Sequence, residues 1–243
     1  MLKKLLPMIA PMPHVCYCEP FAGGLAVLMA KERSAVEVVN DINGDLIALY
    51  MNLQRHLPEL LRHVDSFVSS RQLFHLFTKQ PGVTEIERAA RFLLRNRISF
   101  GGNMHSFAVA KTKRGGACFN RETASELLRQ AHVRLDKVVI ENISYERSFE
   151  NYDSKDTLHF IDPPYLHAKT DAYKGWDESD LKTFRRRVDK LKGKWIVTLD
   201  DSAFNRELFS DCHIEGVISN NRSVNNRTHA QQTFGELIIT ASK

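Results

Sequence analysis

The chain has 243 residues, of which 43% are hydrophobic and 26% are charged, and its formal net charge is +5. This length suits one α/β core with an insertion, large enough to be stable without disulfides. No apolar stretch approaches the roughly 20 residues that span a bilayer, which excludes a membrane-spanning protein. Four cysteines without a preceding secretory signal indicate a reducing, cytoplasmic setting. The positive charge is compatible with a polyanionic partner but does not demand one.

The first 40 residues predict a strand, a helix and a second strand. Residues 15–19 are a short apolar run that ends in a proline and a glycine pair, and Cys16 and Cys18 alternate on it as core residues. Residues 25–33 favour a helix, and residues 35–40 are a β-branched strand. This βαβ pattern is typical of the start of a parallel, doubly wound sheet.

The middle of the chain has a different pattern. Residues 45–98 show helical periodicity, broken at Pro81 and Gly82. Residues 101–118 are glycine-rich and alternate polar with apolar side chains, which predicts a loop or a hairpin, and residues 121–134 predict another helix.

Strands return in the last third of the chain. They are predicted at residues 137–142, 157–161, 194–199, 213–218 and 235–240. The simplest architecture is an α/β catalytic domain made of residues 1–53 and 136–243, interrupted by a helical and hairpin insertion at residues 54–135.

A glycine turn follows the first predicted strand. Residues 19–24 (EPFAGG) would let the backbone approach a ligand closely, because glycine carries no Cβ. Asp41 ends the second strand, where an acid can accept hydrogen bonds from ribose hydroxyls. The alternative is a tight turn with a helix-capping aspartate. The full GxGxxG pattern of dinucleotide sites is absent, and so is the Gly-Lys-Ser/Thr of a P-loop.

Residues 162–165 (DPPY) directly follow the strand at 157–161. Two consecutive prolines end the strand and fix φ, so the loop holds an acid and an aromatic ring in set directions. The alternative is a rigid turn with a capping aspartate and a packed tyrosine.

Such a loop suits methylation of an aromatic amine. The lone pair of the adenine amine is delocalised into the ring, and two acceptors for its hydrogens favour a more tetrahedral nitrogen. Asp162 and the Pro163 carbonyl would be these acceptors, so positioning would supply much of the rate. The Tyr165 ring can stack on the base, a contact worth about 1–3 kcal/mol. A base in a duplex must first be flipped out.

With these motifs the chain resembles the Dam-type DNA adenine N6-methyltransferases and their phage and prophage relatives. Residues 19–24 are similar to the family's cofactor motif, residues 40–47 to its second-strand motif, residues 162–165 to its catalytic motif and residues 236–239 to its last strand. The order of the motifs is that of the alpha group.

The resemblance implies a class I S-adenosylmethionine-dependent methyltransferase fold, mostly parallel with one antiparallel strand near its end. It implies site-specific methylation of double-stranded DNA near the nucleoid, alone or within restriction-modification, with GATC as the family's commonest target. The implied catalytic residues are Asp162, Pro163 and Tyr165. The implied cofactor-binding residues are Glu19, Pro20, Phe21, Ala22, Gly23, Gly24, Asp41, Ile42 and Asp162.

Two positions depart from the family pattern. Leu25 stands where members often have glycine or alanine, which predicts a slightly reshaped turn. The family usually has a Gly-Gly-Lys segment before the first helix, whereas Met1 directly precedes that helix here, so the cofactor and target pockets are expected to lack one wall.

Basic residues are candidates for DNA contacts, to phosphates or, with an asparagine, to base edges. The predicted DNA-binding residues are Arg95, Arg97, Asn103, Lys111, Lys113, Arg114, Arg222 and Arg227. The last two lie in a polar stretch, residues 220–232, whose other interpretation is a plain surface loop.

Three further expectations complete the hypothesis. The ten histidines show no metal-ligand spacing, so no metal is predicted, and the protein is expected to be a monomer or weak dimer. No Pro-Cys nucleophile is present, which argues against methylation of cytosine C5. The alternatives are another amine target, either cytosine N4 or adenine in RNA, and a catalytically impaired DNA-binding relative that lacks the N-terminal cofactor segment.

Overall fold

The computed structural model describes residues 1–99, 104–109, 119–166, 176–219 and 234–242. The described residues of Met1–Asn43, Val138–Arg222 and Arg227–Lys243 form one compact unit, here called the sheet unit. Those of Gly44–Lys137 form a second one, the helical unit.

Among the described residues, seven strands form the sheet, in the order β3-β2-β1-β4-β5-β7-β6. They are β1 (Cys16–Glu19), β2 (Val36–Asn40), β3 (Val139–Glu141), β4 (Thr157–Ile161), β5 (Lys194–Asp200), β6 (His213–Ser219) and β7 (Phe234–Thr240). Strands β1 to β5 pair in parallel, whereas β7 is antiparallel to both β5 and β6. This confirms the predicted fold class, a mostly parallel sheet with one antiparallel strand near its end.

The two central strands explain why the predicted motifs meet. β4 is buried along its whole length, as expected for a parallel strand that is covered on both faces. It pairs with β1 in the register Cys16–Thr157 and Cys18–His159. The turn after Glu19 and the loop that begins at Asp162 therefore leave the same edge of the sheet from adjacent strands.

The described helices of the sheet unit are α1 (Leu2–Ile9), α2 (Ala26–Ala30), α8 (Tyr145–Tyr152), α9 (Glu178–Val188) and α10 (Ala203–Leu208). α9 begins with a capping box, in which Asp177 accepts from the backbone of Asp180 and Asp180 accepts from that of Asp177. Its buried Phe184 belongs to one apolar cluster with Val197 of β5 and Ile239 of β7. This cluster holds α9 against β5 and β7.

The helix predicted at residues 25–33 is shorter in the structure, because Lys31 leaves it in an extended conformation. Its Nζ donates to Glu37 Oε1 at 2.6 Å and lies 4.2 Å from the centre of the Tyr17 ring. The ion pair is buried, with side-chain exposures of 4% and 3%. Burying an ammonium requires such partners, so tertiary contacts end the helix here.

The helical unit contains α3 (Gly44–Arg55), α4 (Leu57–Asp65), α5 (Arg71–Lys79), α6 (Glu85–Ile98) and α7 (Arg121–Leu135). It begins earlier than the predicted insertion at residues 54–135, because α3 packs on α6 and α7. Thr84 caps α6, and after that helix an isolated antiparallel bridge joins Ser99 and Phe107.

Candidate active site

A cavity of about 380 Å³ opens at the carboxyl ends of the central strands, within the size range of ligand pockets. The predicted site residues that line it are Glu19, Phe21, Ala22, Gly23, Gly24, Asp41, Asp162, Pro163 and Tyr165. Pro20 and Ile42 lie outside this lining. The carbonyl of Pro20 accepts from Asn40 Nδ2 at 2.9 Å, and Ile42 is 47% exposed.

Glu19 lies at the floor of the cavity and is 1% exposed. Its Oε1 accepts from the Tyr17 hydroxyl at 2.7 Å and from the Leu28 backbone N–H at 2.9 Å. Burial raises the pKa of Glu19 to about 7, although these two hydrogen bonds and the charge of Lys31 oppose the shift. The floor therefore carries a carboxylate that changes charge near neutral pH.

The turn between β1 and α2 is built on left-handed backbone. Gly23 has φ +45°, and a Cβ at Gly23 or Gly24 would meet no protein atom within 4 Å. The space above these glycines is thus open to a ligand. Leu25 also has a positive φ, 56°, with a fully buried side chain. The conformation costs a non-glycine residue about 1–2 kcal/mol.

Asp41 follows β2 and is 2% exposed. Its Oδ2 accepts from the Gly23 N–H at 3.1 Å, and its Oδ1 accepts from the Asn43 N–H at 2.9 Å. The carboxylate therefore ties the glycine turn to the end of β2 and lines the cavity. This geometry agrees with an acid that holds ligand hydroxyl groups.

Asp162 begins the loop after β4 and faces the cavity. The Thr198 hydroxyl of β5 donates to its Oδ1 at 2.6 Å. Asp162 is exposed as a residue, but many protein atoms surround its carboxylate. Burial raises the pKa of Asp162 to about 6, the Thr198 hydrogen bond lowers it, and the charge of Glu236 raises it further. Asp162 is therefore mostly ionised at neutral pH and can accept hydrogen bonds.

Tyr165 ends the same loop and lines the cavity. Its hydroxyl donates to Glu236 Oε1 of β7 at 3.3 Å, and burial raises the pKa of Tyr165 above its usual value. Pro163 between Asp162 and Tyr165 is buried. The ring is thus held both by its rigid backbone and by a contact from a distant strand.

The motifs alone did not predict Thr198 or Glu236. Threonine is an ordinary strand residue, so nothing in the sequence distinguishes Thr198. Glu236 directly precedes three fully buried apolar residues of β7, and the sequence does not show that it reaches the 162–165 loop.

Helix α1 lines one side of the cavity. Met1, Leu2 and Leu5 line the cavity, and Leu5 is 1% exposed. Next to the cavity, Phe21 stacks on Tyr145 with ring centres 5.3 Å apart. Apolar side chains therefore enclose part of the pocket.

The predicted DNA-binding residues are only partly described. Arg97 is exposed at the end of α6, and Arg95 Nη2 donates to the Met104 carbonyl at 3.3 Å. Asn103, Lys111, Lys113, Arg114, Arg222 and Arg227 lie outside the described residues. Within the described ranges, no three potential ligands form a metal-binding group, and no helix has the length and hydropathy to cross a membrane.

The strand order, with ligand-facing residues after β1, β2 and β4, defines an α/β methyltransferase of class I. Residues 2–225 match the model of the D12 class N6 adenine-specific DNA methyltransferases, and the chain belongs to that family. It is an enzyme that methylates adenine in DNA.

Two curated relatives agree with this assignment. The Type II methyltransferase M1.LlaDCHI of Lactococcus lactis subsp. cremoris is 24% identical over an alignment of 274 positions, gaps included, that covers 98% of this chain and 91% of the relative. The Type II methyltransferase M.CviBI of Paramecium bursaria Chlorella virus NC1A is 21% identical over 203 residues, an alignment that covers 79% of this chain and 76% of the relative.

Proposed function

We propose that this chain transfers a methyl group from S-adenosylmethionine directly to N6 of a flipped adenine in double-stranded DNA, without a covalent enzyme intermediate. The observation that carries the proposal is the Asp162 carboxylate, held by Thr198 and facing the same cavity as Glu19 and Asp41. The acceptor for an amine and the acceptors for a cofactor therefore share one enclosed space.

The residues present fit S-adenosylmethionine. The open space above Gly23 and Gly24 admits a ligand close to the backbone, Asp41 offers acceptors for ribose hydroxyls, and Glu19 offers one for an ammonium group. When bound, the cofactor supplies an electrophilic methyl group. The chain's own contribution is to hold the two partners in line and to exclude water from the cavity.

Asp162 acts on the amine. Its Oδ1 is engaged by Thr198, which leaves Oδ2 as the acceptor for one amine hydrogen, and the Pro163 carbonyl accepts the other. Both bonds favour a nitrogen whose lone pair points away from the ring. Aiming fixed acceptors at the place where positive charge develops is an efficient way to lower a barrier.

Tyr165 provides a stacking face for the flipped base, a contact worth about 1–3 kcal/mol. We propose that the insertion, predicted at residues 54–135, recognises the DNA. Its contacts to phosphates and bases would come from the basic residues named above, together with Arg222 and Arg227. The Type II names of the relatives support methylation at a defined sequence.

The test is incubation of the protein with labelled S-adenosylmethionine and duplex DNA, followed by digestion of the product. We expect N6-methyladenine as the product, and we expect Asp162→Ala to form it at least about a hundredfold more slowly. Asp156→Ala is the matched control, since it removes an exposed acid near the other end of β4. N4-methylcytosine, methylated RNA or undiminished activity of Asp162→Ala would contradict the proposal. Calorimetry with S-adenosylmethionine tests the alternative that the protein is a catalytically impaired DNA-binding relative. If no binding is seen at millimolar cofactor, that alternative is supported.

A further inference from the structure

Glu236 is a cavity-lining acid to which the predicted mechanism gives no role. It lies on β7 opposite Asp200 of β5 and is followed by Leu237, Ile238 and Ile239, all fully buried. Glu236 is half-buried, but one of its carboxylate oxygens is fully buried, and a buried charged group is costly unless it is paired, so the position calls for a functional reason.

The two carboxylate oxygens of Glu236 differ in their contacts. Oε1 accepts from the Tyr165 hydroxyl, and Oε2 is buried without a hydrogen-bond partner among the described residues. The 3.3 Å between the Tyr165 oxygen and Oε1 is long for a hydroxyl donor. Catalytic hydrogen bonds are often long before the substrate binds and tighten afterwards.

The charge of Glu236 also acts on the catalytic loop. Asp162 is faced by Thr198 from β5, Glu236 from β7, Tyr165 from its own loop and, more remotely, Glu19 from β1. Glu236 raises the pKa of Asp162, whereas Thr198 lowers it. The proton affinity of Asp162 is therefore set by two neighbouring strands that act in opposite directions.

We propose that Glu236 is a positioning residue for adenine methylation, holding the Tyr165 hydroxyl so that the ring keeps one orientation beside Asp162. The two prolines fix only the backbone of the loop, and a tyrosine ring still rotates about two side-chain bonds. An acceptor on a neighbouring strand removes that freedom before the base arrives. The inference rests on the proposed stacking role of Tyr165.

A double-mutant cycle tests the contact. The single-turnover methylation rate at saturating DNA and cofactor is measured for the wild type, Tyr165→Phe, Glu236→Ala and the double variant. We expect each single change to lower the rate about tenfold relative to the wild type. The double variant should also be about tenfold slower than the wild type and not slower than that, because the same contact is removed in all three variants. A hundredfold loss in the double variant, or a rate of Glu236→Ala within about twofold of the wild type, overturns the proposal.

Glu236→Gln distinguishes the hydrogen bond to Tyr165 from the effect of the Glu236 charge on Asp162. It also serves as the test if Glu236→Ala fails to fold. Glutamine keeps an acceptor for the Tyr165 hydroxyl but removes the charge. We expect a rate at pH 8 within about threefold of the wild type, and an acidic limb of the pH–rate profile shifted to lower pH. A rate at pH 8 as low as that of Glu236→Ala overturns the proposal, and an unshifted limb refutes the effect of the Glu236 charge on Asp162.

Two further variants separate this inference from the proposed function. Glu207→Ala, on an exposed acid of α10, is the matched control and should leave rate and pH profile unchanged. If Tyr165→Ala loses activity while Glu236→Ala keeps it, only the role of Glu236 is refuted. If Tyr165→Ala is fully active, the stacking role fails, and the role of Glu236 fails with it.

Discussion

The two sides of the cavity hold their carboxylates in different ways. On the proposed cofactor side, backbone N–H groups supply most of the hydrogen bonds. The Leu28 N–H donates to Glu19, which also accepts from the Tyr17 hydroxyl, and the N–H groups of Gly23 and Asn43 donate to Asp41. On the proposed target side, which includes Asp162 and Tyr165, Asp162 is held by the side chain of Thr198.

The two sides should therefore differ in how sensitive their carboxylates are to side-chain substitutions. Backbone N–H groups are present whatever the side chains are, so the cofactor side depends mainly on the conformation of one strand–turn–helix segment. Side chains on β5 and β7 can change independently of the 162–165 loop, so substitutions there adjust the pKa of Asp162 and the orientation of the Tyr165 ring. Substitutions on the two sides should therefore affect different measured quantities.

The largest effect is expected at Glu19, whose folded pKa of about 7 exceeds its ordinary 4.5. The folded state binds that proton more tightly, so the wild type loses stability as pH rises from 4.5 through 7. Glu19→Gln avoids this loss, and its free energy of unfolding should exceed that of the wild type by about 2–3 kcal/mol at pH 8. At pH 5 the gain should fall below about 1 kcal/mol. Denaturant unfolding at both pH values checks this, and a pH-independent difference contradicts it.

Asp41→Ala should weaken cofactor binding about thirtyfold, because ribose hydroxyls lose a charged acceptor and two backbone N–H groups lose their partner. The rate at saturating cofactor should stay within about threefold of the wild type, since the target side is intact. Calorimetry and saturation kinetics measure the two quantities, with Glu32→Ala on an exposed acid after α2 as control. A fall in rate as large as the fall in affinity would mean that the two sides are coupled.

Thr198→Val should lower the rate at pH 7.5 about tenfold with little change in cofactor affinity, because Asp162 loses its 2.6 Å hydrogen bond. That bond favours the ionised carboxylate, so its loss raises the pKa of Asp162. In the wild type, activity should be half-maximal near the Asp162 pKa of about 6, and in the variant this midpoint should move to higher pH. Thr183→Val on α9 is the control. An unchanged pH–rate profile in Thr198→Val would contradict a role of Thr198 in setting the pKa of Asp162.

Much of the fold was predictable because strand and turn chemistry is local. β4 was predicted at its observed bounds and the other strands within two residues, since β-branched apolar runs ended by proline, glycine or acids specify strands directly. Leu25 shows a limit of this reasoning. A change in the turn was predicted, but the left-handed backbone under a buried leucine appears only in three dimensions.

The sequence by itself determined which residues follow each strand: Glu19 and the glycine turn, Asp41, and the 162–165 loop. Chain order and turn residues suffice for that. Only the tertiary structure decided that Thr198 and Glu236 reach this loop, that α1 lines the cavity, and that Lys31 ends α2. These contacts depend on strand order and on the face to which each side chain points, and both are set by packing between distant segments.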